Sequence, residues 1–141
     1  MTGPLRLMAQ DEEDLKVLSA TLQDALARIG DIHFEAGAGR LTITFNRFRW
    51  EEPRGRGERV RSALQLGCVL GVKARRLRRE ARQAVVELLT MTFEPGEAPG
   101  GAVVFHFAGG GDLRAEVECI EAALADVSPP WPTPRAPDHQ V

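Results

Sequence analysis

The sequence lacks tyrosine entirely, and aromatic residues make up only 6% of its 141 residues. Aliphatic side chains must therefore fill most of the core of the one domain that this length predicts. No apolar run approaches the roughly 20 residues of a membrane-spanning helix, so we expect no membrane segment. The first residues lack the basic start and apolar stretch of a secretory signal, and we expect a cytoplasmic protein.

Cysteine and histidine are also scarce. Cys68 and Cys119 are far apart, and His33, His106 and His139 lie in three separate segments. No C-x-x-C, H-x-x-H or H-E-x-x-H spacing brings metal ligands together, so we expect neither a metal nor another cofactor. Each cysteine lies within an apolar pattern, which favours buried free thiols over a disulfide.

Motifs of catalysis are missing as well. The sequence has no G-x-S-x-G motif, and Gly109-Gly110-Gly111 is not followed by the lysine of a phosphate-binding loop. We therefore predict that the protein is not an enzyme. One alternative stays open, in which His106 and several arginines from separate segments assemble an active site.

Charge, in contrast, is sorted along the chain. Residues 40–83 hold 13 of the 18 Lys and Arg but 4 of the 20 Asp and Glu, a balance of +9. The remaining residues have a balance of −11, which the total of −2 conceals. A cationic stretch of this kind can hold phosphates, meet an acidic partner, or pair with the acidic flanks of its own chain.

Residues 73–82, which we call the basic segment, are the densest part of this stretch. Its six cations could bind an anionic ligand or nucleic acid with a steep salt dependence. They are Lys73, Arg75, Arg76, Arg78, Arg79 and Arg82. No helix-turn-helix signal, aromatic platform or zinc spacing accompanies them, so nucleic acid is not favoured. A solvated or self-paired loop and a protein partner are the alternatives.

A second cationic strip follows the first clear strand. Arg47 and Arg49 share one face of the Asn46–Glu51 segment, and Phe48 and Trp50 share the other. With Arg59 and Arg61 of the next strand, these arginines are candidates for an anion-binding or partner-binding site. In the alternative structural interpretation, both aromatic rings enter the core, and the arginines pair with Glu51, Glu52 or Glu58.

Periodicity predicts the secondary structure. Asp11 is a candidate N-cap for a helix over about 12–22. Leu41, Ile43 and Phe45 alternate as in a half-buried strand, and the change of register at Phe48 predicts a bulge near Asn46-Arg47. The alternation over 60–72 predicts a long strand that bends at Gly67 or Gly71. Further strands are predicted over 85–93 and 103–107.

The end of the sequence shows a helical spacing. Apolar residues recur at intervals of four, three, four and three, which predicts a helix lying on the sheet. They are Leu113, Val117, Ile120, Leu124 and Val127. We predict one α+β domain over 1–128, with a bent antiparallel sheet or small barrel of six or seven strands, a C-terminal capping helix and a pleckstrin-homology-like order. Residues 129–141 are predicted to be a Pro-rich tail.

Several phrases of the sequence occur together in a known order. They are Glu13-Asp14-Leu15, Leu18-Ser19-Ala20, Gln23-Asp24-Ala25, Asn46-Arg47-Phe48-Arg49-Trp50-Glu51, Glu58-Arg59-Val60-Arg61-Ser62-Ala63-Leu64 and Val117-Glu118-Cys119-Ile120-Glu121. This order resembles an uncharacterised, mostly alphaproteobacterial family catalogued as domain of unknown function number 2948. The resemblance implies a small bacterial protein and carries no activity and no site residue.

We therefore predict a small, non-catalytic domain that acts through its charged surface. It would bind a protein partner or a second copy of itself. In the alternative, the basic segment binds nucleic acid or a phosphate-bearing ligand.

Overall fold

One antiparallel sheet, bent around its own core, dominates the structure. The computed structural model describes residues 4–50 and 57–133. In these ranges lie eleven strands and one α-helix. Side chains from distant parts of the sheet, such as Leu64 and Phe105, belong to the same buried cluster. The sheet must therefore curve until its two halves face each other.

The strands follow one another through short turns. Their bounds are β1 Arg6–Ala9, β2 Leu26–Arg28, β3 Ile32–Glu35, β4 Arg40–Phe48, β5 Glu58–Leu66, β6 Val69–Arg75, β7 Val85–Pro95, β8 Gly101–Phe107, β9 Asp112–Val117, β10 Ala122–Asp126 and β11 Trp131–Pro132. Their order in the sheet is β1-β10-β5-β4-β2-β7-β8-β9-β6, with β11 beside β5 and β3 beside β4. The sheet is open rather than closed into a barrel.

The helix lies near the N-terminus, where the sequence predicts one. α1 spans Glu12–Thr21, and Asp11 caps it by accepting a hydrogen bond of 2.8 Å from the backbone N–H of Asp14. Leu15 and Leu18 bury the apolar side of α1 in the core. On the facing strand β7, the backbone N–H of Met91 donates to Ser19 Oγ at 2.9 Å. No helix in the described ranges is both long and apolar enough to cross a bilayer.

The predicted C-terminal capping helix was wrong. Residues 112–126 form β9 and β10, joined by a corner at Glu118–Glu121. An interval of four is even, so Leu113 and Val117 lie on the same face of a strand as well as of a helix. The odd interval from Val117 to Ile120 falls at the corner, where the register changes. The helical spacing is therefore that of two short strands.

The α+β class, the barrel of six or seven strands and the pleckstrin-homology-like order were wrong as well, because the open sheet ends in strands rather than in a capping helix. The sheet has eleven strands, and short ones such as β2, β3 and β11 carry too few residues to show an alternation. β11 pairs with the start of β5, so Trp131 and Pro132 of the predicted tail belong to the sheet. Residues 134–141 of that tail, and Glu51 and Glu52 as predicted ion-pair partners, lie outside the described residues.

The predicted bulge at Asn46-Arg47 was wrong as well. β4 pairs with β5 in one unbroken register, from Leu41 opposite Leu66 to Phe48 opposite Arg59. The inward position after Phe45 is taken by Arg47, which is fully buried. Because a charged residue occupies a position that faces the core, the hydrophobic pattern of the sequence indicated the wrong register for the end of this strand.

The predicted bend at Gly67 is confirmed, and it shapes the molecule. β5 ends at Leu66, and β6 begins at Val69 after a corner made by Gly67 and Cys68. β5 lies inside the sheet, whereas β6 forms its last strand. The corner thus carries the chain from one half of the bent sheet to the other.

An open seam remains between β3 and β6. Among the residues that the structure describes, each of these strands pairs with one neighbour, β3 with β4 and β6 with β9. At one end of the seam, the backbone N–H of Val69 donates to the carbonyl of Gly39 at 2.9 Å. Gly39 has a φ of +61°, and an added Cβ would lie 3.1 Å from the Val69 carbonyl oxygen, so only glycine fits this approach without strain. Beyond this contact, no strand pairing joins β3 to β6.

Candidate functional site

Arg47 and Arg49, two of the predicted site residues, are buried in ion pairs. Arg47 Nη2 lies 3.0 Å from both carboxylate oxygens of Asp126, and Arg47 Nε also donates to Ser62 Oγ at 3.0 Å. Arg49 Nη1 lies 2.6 Å from Glu58 Oε1. Because water and ligands cannot reach a buried guanidinium, these two arginines stabilise the fold instead of presenting charge.

Phe48 is buried, as the structural interpretation predicted, but Trp50 is 38% exposed. The two rings pack edge to face at a centroid distance of 4.7 Å. The aromatic pair therefore consists of one buried ring and one ring that is partly open to solvent.

Arg59 and Arg61, on the neighbouring strand β5, both turn to Asn46. Arg59 Nη1 donates to the Asn46 carbonyl at 3.2 Å, and Arg61 Nε donates to Asn46 Oδ1 at 3.4 Å. β4 and β5 are neighbours, as a shared site required. However, burial of Arg47 and Arg49 leaves only these two of the four arginines able to meet a ligand.

The other six predicted site residues lie together on β6 and the loop after it. Lys73 and Arg75 end β6, and Arg76, Arg78, Arg79 and Arg82 follow on the loop over 76–84. All six are exposed. Arg75 pairs with Asp112 at 2.6 Å. The other five form no ion pair with any carboxylate in the described part of the chain.

The loop is held at both ends. Near its end, the backbone N–H of Gly30 donates to the Arg82 carbonyl at 2.9 Å. Near its start, Gly111 lies against Arg76 and Leu77, and an added Cβ there would lie 2.9 Å from the Arg76 carbonyl oxygen. These contacts fix both ends of the loop across the open seam and place some of its cations beside the seam.

A cavity of about 260 Å³ occupies the seam. Its walls are apolar and come from both edge strands, the strands behind them and the loop, through Ile32, Phe34, Leu41, Val72, Leu77 and Leu113. Ile29, Ala74, Arg79 and Arg82 complete the lining. The site thus combines an apolar interior with two cations at the loop.

A charged strip covers the outer face of β8 and β9. Arg114 lies 2.8 Å from Glu116 and 2.7 Å from Glu94, and these two carboxylates raise the pKa of its guanidinium above the ordinary value. His106, in the same strip, forms a hydrogen bond of 2.9 Å with the hydroxyl of Thr92. A cavity of about 580 Å³ in this strip is lined by His106, Arg75 and Arg114. Because Arg75 and Arg114 are each paired with carboxylates, their charges are largely compensated within the strip. The alternative enzyme hypothesis stays a prediction.

The two cysteines lie on adjacent corners of the sheet, which backbone hydrogen bonds tie together. Both are half-exposed, so the prediction that they are buried was wrong. Cys68 has a left-handed φ of +57°, and its Sγ lies 3.3 Å from Glu121 Oε2. Hydrogen bonds to Glu121 and Cys119 raise the pKa of the Cys68 thiol to about 11. A thiol donating to a carboxylate resists ionisation, so Cys68 is protonated at neutral pH.

A model of a family of proteins of unknown function, DUF2948, matches residues 5–139. The chain belongs to the DUF2948 family. The resemblance predicted from its phrases is thereby confirmed, and the family description names no function. No curated protein and no solved structure matches the chain. Its alphaproteobacterial origin and cytoplasmic location stay predictions.

Two features of this DUF2948 domain had no signal in the sequence. Asp126 neutralises Arg47 although 79 positions separate them, and nothing local marks either residue as a partner. The apolar seam cavity is also formed by residues from five separate segments. Within the described residues, no group of three His, Cys, Asp or Glu side chains is placed to hold a metal ion.

Proposed function

We propose that this DUF2948 domain is a non-catalytic binding module for a small amphipathic anion, which it takes into the seam cavity. The proposal narrows the hypothesis of a phosphate-bearing or other anionic ligand at the basic segment. It is favoured over a protein partner by one observation. The exposed cations Arg79 and Arg82 line a concave apolar cavity, whereas a flat charged surface would suit a large partner better.

The chemistry of the seam cavity selects the ligand class. Ile32, Phe34 and Val72 offer contacts to a hydrocarbon chain, and burying each methylene is worth about 0.8 kcal/mol. An arginine fork is suited to a carboxylate or phosphate oxygen pair. A carboxylate or phosphate monoester on a short alkyl chain satisfies both halves of the site.

The size of the cavity limits the ligand. Its volume of about 260 Å³ lies just below the roughly 300–1,000 Å³ of sites for drug-sized ligands. A chain of medium length fits such a space, whereas a long-chain lipid would leave much of its tail in water. The affinity should therefore rise with chain length and then stop rising.

Calorimetric titration with hexanoate, octanoate and decanoate tests the proposal. The expected result is saturable binding of one equivalent, with affinity rising by up to about fourfold per methylene until the cavity is full. Octyl phosphate should bind as well, since the headgroup chemistry is shared. Octylamine, which has the same tail and the opposite charge, should not bind.

Matched variants locate the site. Arg79→Gln and Arg82→Gln should each weaken octanoate binding by roughly tenfold, the usual effect of losing one charge-assisted hydrogen bond. Arg78→Gln is the control, because Arg78 carries the same charge on the same loop but does not line the cavity. Ala74→Leu, which fills the cavity, should abolish the dependence on chain length.

Two results would contradict the proposal. One is the absence of saturable binding for every chain length. The other is an equal loss of affinity in Arg78→Gln and Arg79→Gln, which would indicate attraction to overall charge. Binding of DNA that weakens steeply with salt and ignores Ala74→Leu would instead favour the nucleic-acid hypothesis.

A further inference from the structure

Cys68 and Cys119 sit on two corners that the backbone ties together. Cys68 lies between β5 and β6, and Cys119 lies between β9 and β10. The backbone N–H of Gly67 donates to the Glu121 carbonyl at 2.8 Å, and that of Glu118 donates to the Cys68 carbonyl at 2.9 Å. These two hydrogen bonds therefore hold the corner that carries Cys68 against the corner that carries Cys119.

The side chains complete a cluster of three groups. The Cys68 thiol donates to the Glu121 carboxylate at 3.3 Å, and Cys119 is near enough to help raise the pKa of the Cys68 thiol. Both cysteines are half-exposed, so a small oxidant can reach their sulfur atoms. Two accessible thiols on corners that are already tied together by backbone hydrogen bonds need little movement to become a disulfide.

We propose that Cys68 and Cys119 form a reversible redox site, in which a hydroperoxide oxidises Cys119 and Cys68 then closes the disulfide. This site is independent of the seam cavity and of its ligand. It links the corner of β5 and β6 to the corner of β9 and β10.

The reaction proceeds in two balanced steps. The Cys119 sulfur attacks a peroxide oxygen, the O–O bond breaks, and Cys119 becomes a sulfenic acid as the peroxide is reduced to water or an alcohol. The Cys68 sulfur then attacks the Cys119 sulfur and the S–O bond breaks. The hydroxide that leaves takes the thiol proton of Cys68 and departs as water.

Glu121 sets the order of the two steps as a positioning residue. Its hydrogen bond keeps Cys68 in the thiol form, for which the raised pKa of about 11 is the sign. Because the thiolate is the form that reacts with peroxide, Cys68 is protected from the first step. Its sulfur is therefore still reduced in the second step, in which it attacks the sulfur of Cys119.

Mass spectrometry of the reduced full-length protein, treated with equimolar hydrogen peroxide, tests the disulfide. The expected product is a monomer lighter by two hydrogen atoms, about 2 Da, that regains its mass with dithiothreitol. Peptide mapping without reductant should show Cys68 joined to Cys119. A product that only gains oxygen, or a disulfide between two molecules, would overturn the proposal.

Trapping with dimedone, which labels sulfenic acids, tests the order. Cys68→Ser should be labelled at Cys119 about tenfold more than Cys119→Ser is labelled at Cys68. In the Cys119→Ser background, Glu121→Gln should raise labelling of Cys68, whereas the control Glu118→Gln should not. Equal labelling of the two single variants, or no effect of Glu121→Gln, would overturn the assigned order.

Discussion

Arg47 is the residue whose role the structure changes most. Its sequence context allows either a ligand-facing cation or an ion pair with a nearby glutamate, and the structure buries its side chain fully against a distant carboxylate, Asp126. Both carboxylate oxygens of Asp126 accept hydrogen bonds from the Arg47 guanidinium. Asp126 also accepts a hydrogen bond of 2.6 Å from Ser62 Oγ and one of 2.8 Å from the backbone N–H of Leu5. The pair thus joins β4, β5, β10 and the chain before β1 at one point.

Breaking this pair should be costly. Asp126→Asn leaves the Arg47 guanidinium buried without that carboxylate, and the free energy of unfolding should fall by about 3–5 kcal/mol. Adding Arg47→Met removes the charge as well, so the double variant should be more stable than Asp126→Asn alone. Urea unfolding followed by circular dichroism measures both changes.

Arg61→Met serves as the control for the pair. Arg61 is exposed and bonds only weakly to Asn46, so its loss should change stability by no more than about 0.5 kcal/mol. A double variant less stable than Asp126→Asn would contradict the view that the main cost is a buried Arg47 charge that has lost the Asp126 carboxylate.

Among the secondary-structure elements, β9 and β10 show where the hydrophobic pattern of a sequence does not distinguish a strand from a helix. Leu113, Ala115 and Val117 are buried on one face of β9. Alanine carries little hydrophobic signal, so this alternation is weak in the sequence, and the larger residues alone suggest a helix. By contrast, Asp11 marks the start of α1 through a local hydrogen bond. Gly67 marks a corner because an added Cβ there would clash with the Glu121 carboxylate. Local features were predictable; the pairing of distant strands was not.

The corner at Cys68 makes a prediction about alkaline pH. The folded-state pKa of Cys68 is raised to about 11 from an ordinary value of 9.0, so its contribution to stability is complete below pH 9. That contribution is lost as the pH rises through 11, because the unfolded chain then ionises more readily. Urea unfolding under reductant should therefore show stability falling between pH 9 and 11.

Cys68→Ser is the matched control at this corner, because a serine hydroxyl does not titrate in the same interval. Tyrosine is absent and only Lys16 and Lys73 are lysines, so few other side chains change charge there. A fall of equal size in the wild type and in Cys68→Ser would show that the corner does not contribute to it.

On the scale of the whole molecule, the cations that are concentrated in residues 40–83 of the sequence divide into two groups. The first group is held in ion pairs: Arg47 and Arg49 are buried with their carboxylate partners, and Arg75 pairs with Asp112. The exposed remainder of the basic segment has no carboxylate partner in the described ranges. Six cations within ten residues repel one another, and this repulsion opposes folding. Under the proposed function, a bound anion would offset this repulsion.

The last prediction follows from that repulsion. Replacing Arg76, Arg78 and Arg79 together by Gln should raise the free energy of unfolding by up to about 1 kcal/mol at 10 mM salt. In 1 M NaCl, where screening acts over about 3 Å, the variant and the wild type should be equally stable. Arg75→Gln, which removes a paired cation of the same segment, should not stabilise the protein under either condition. If the triple variant is instead less stable at low salt, these arginines are paired with carboxylates in solution, and the basic segment serves the fold rather than a ligand.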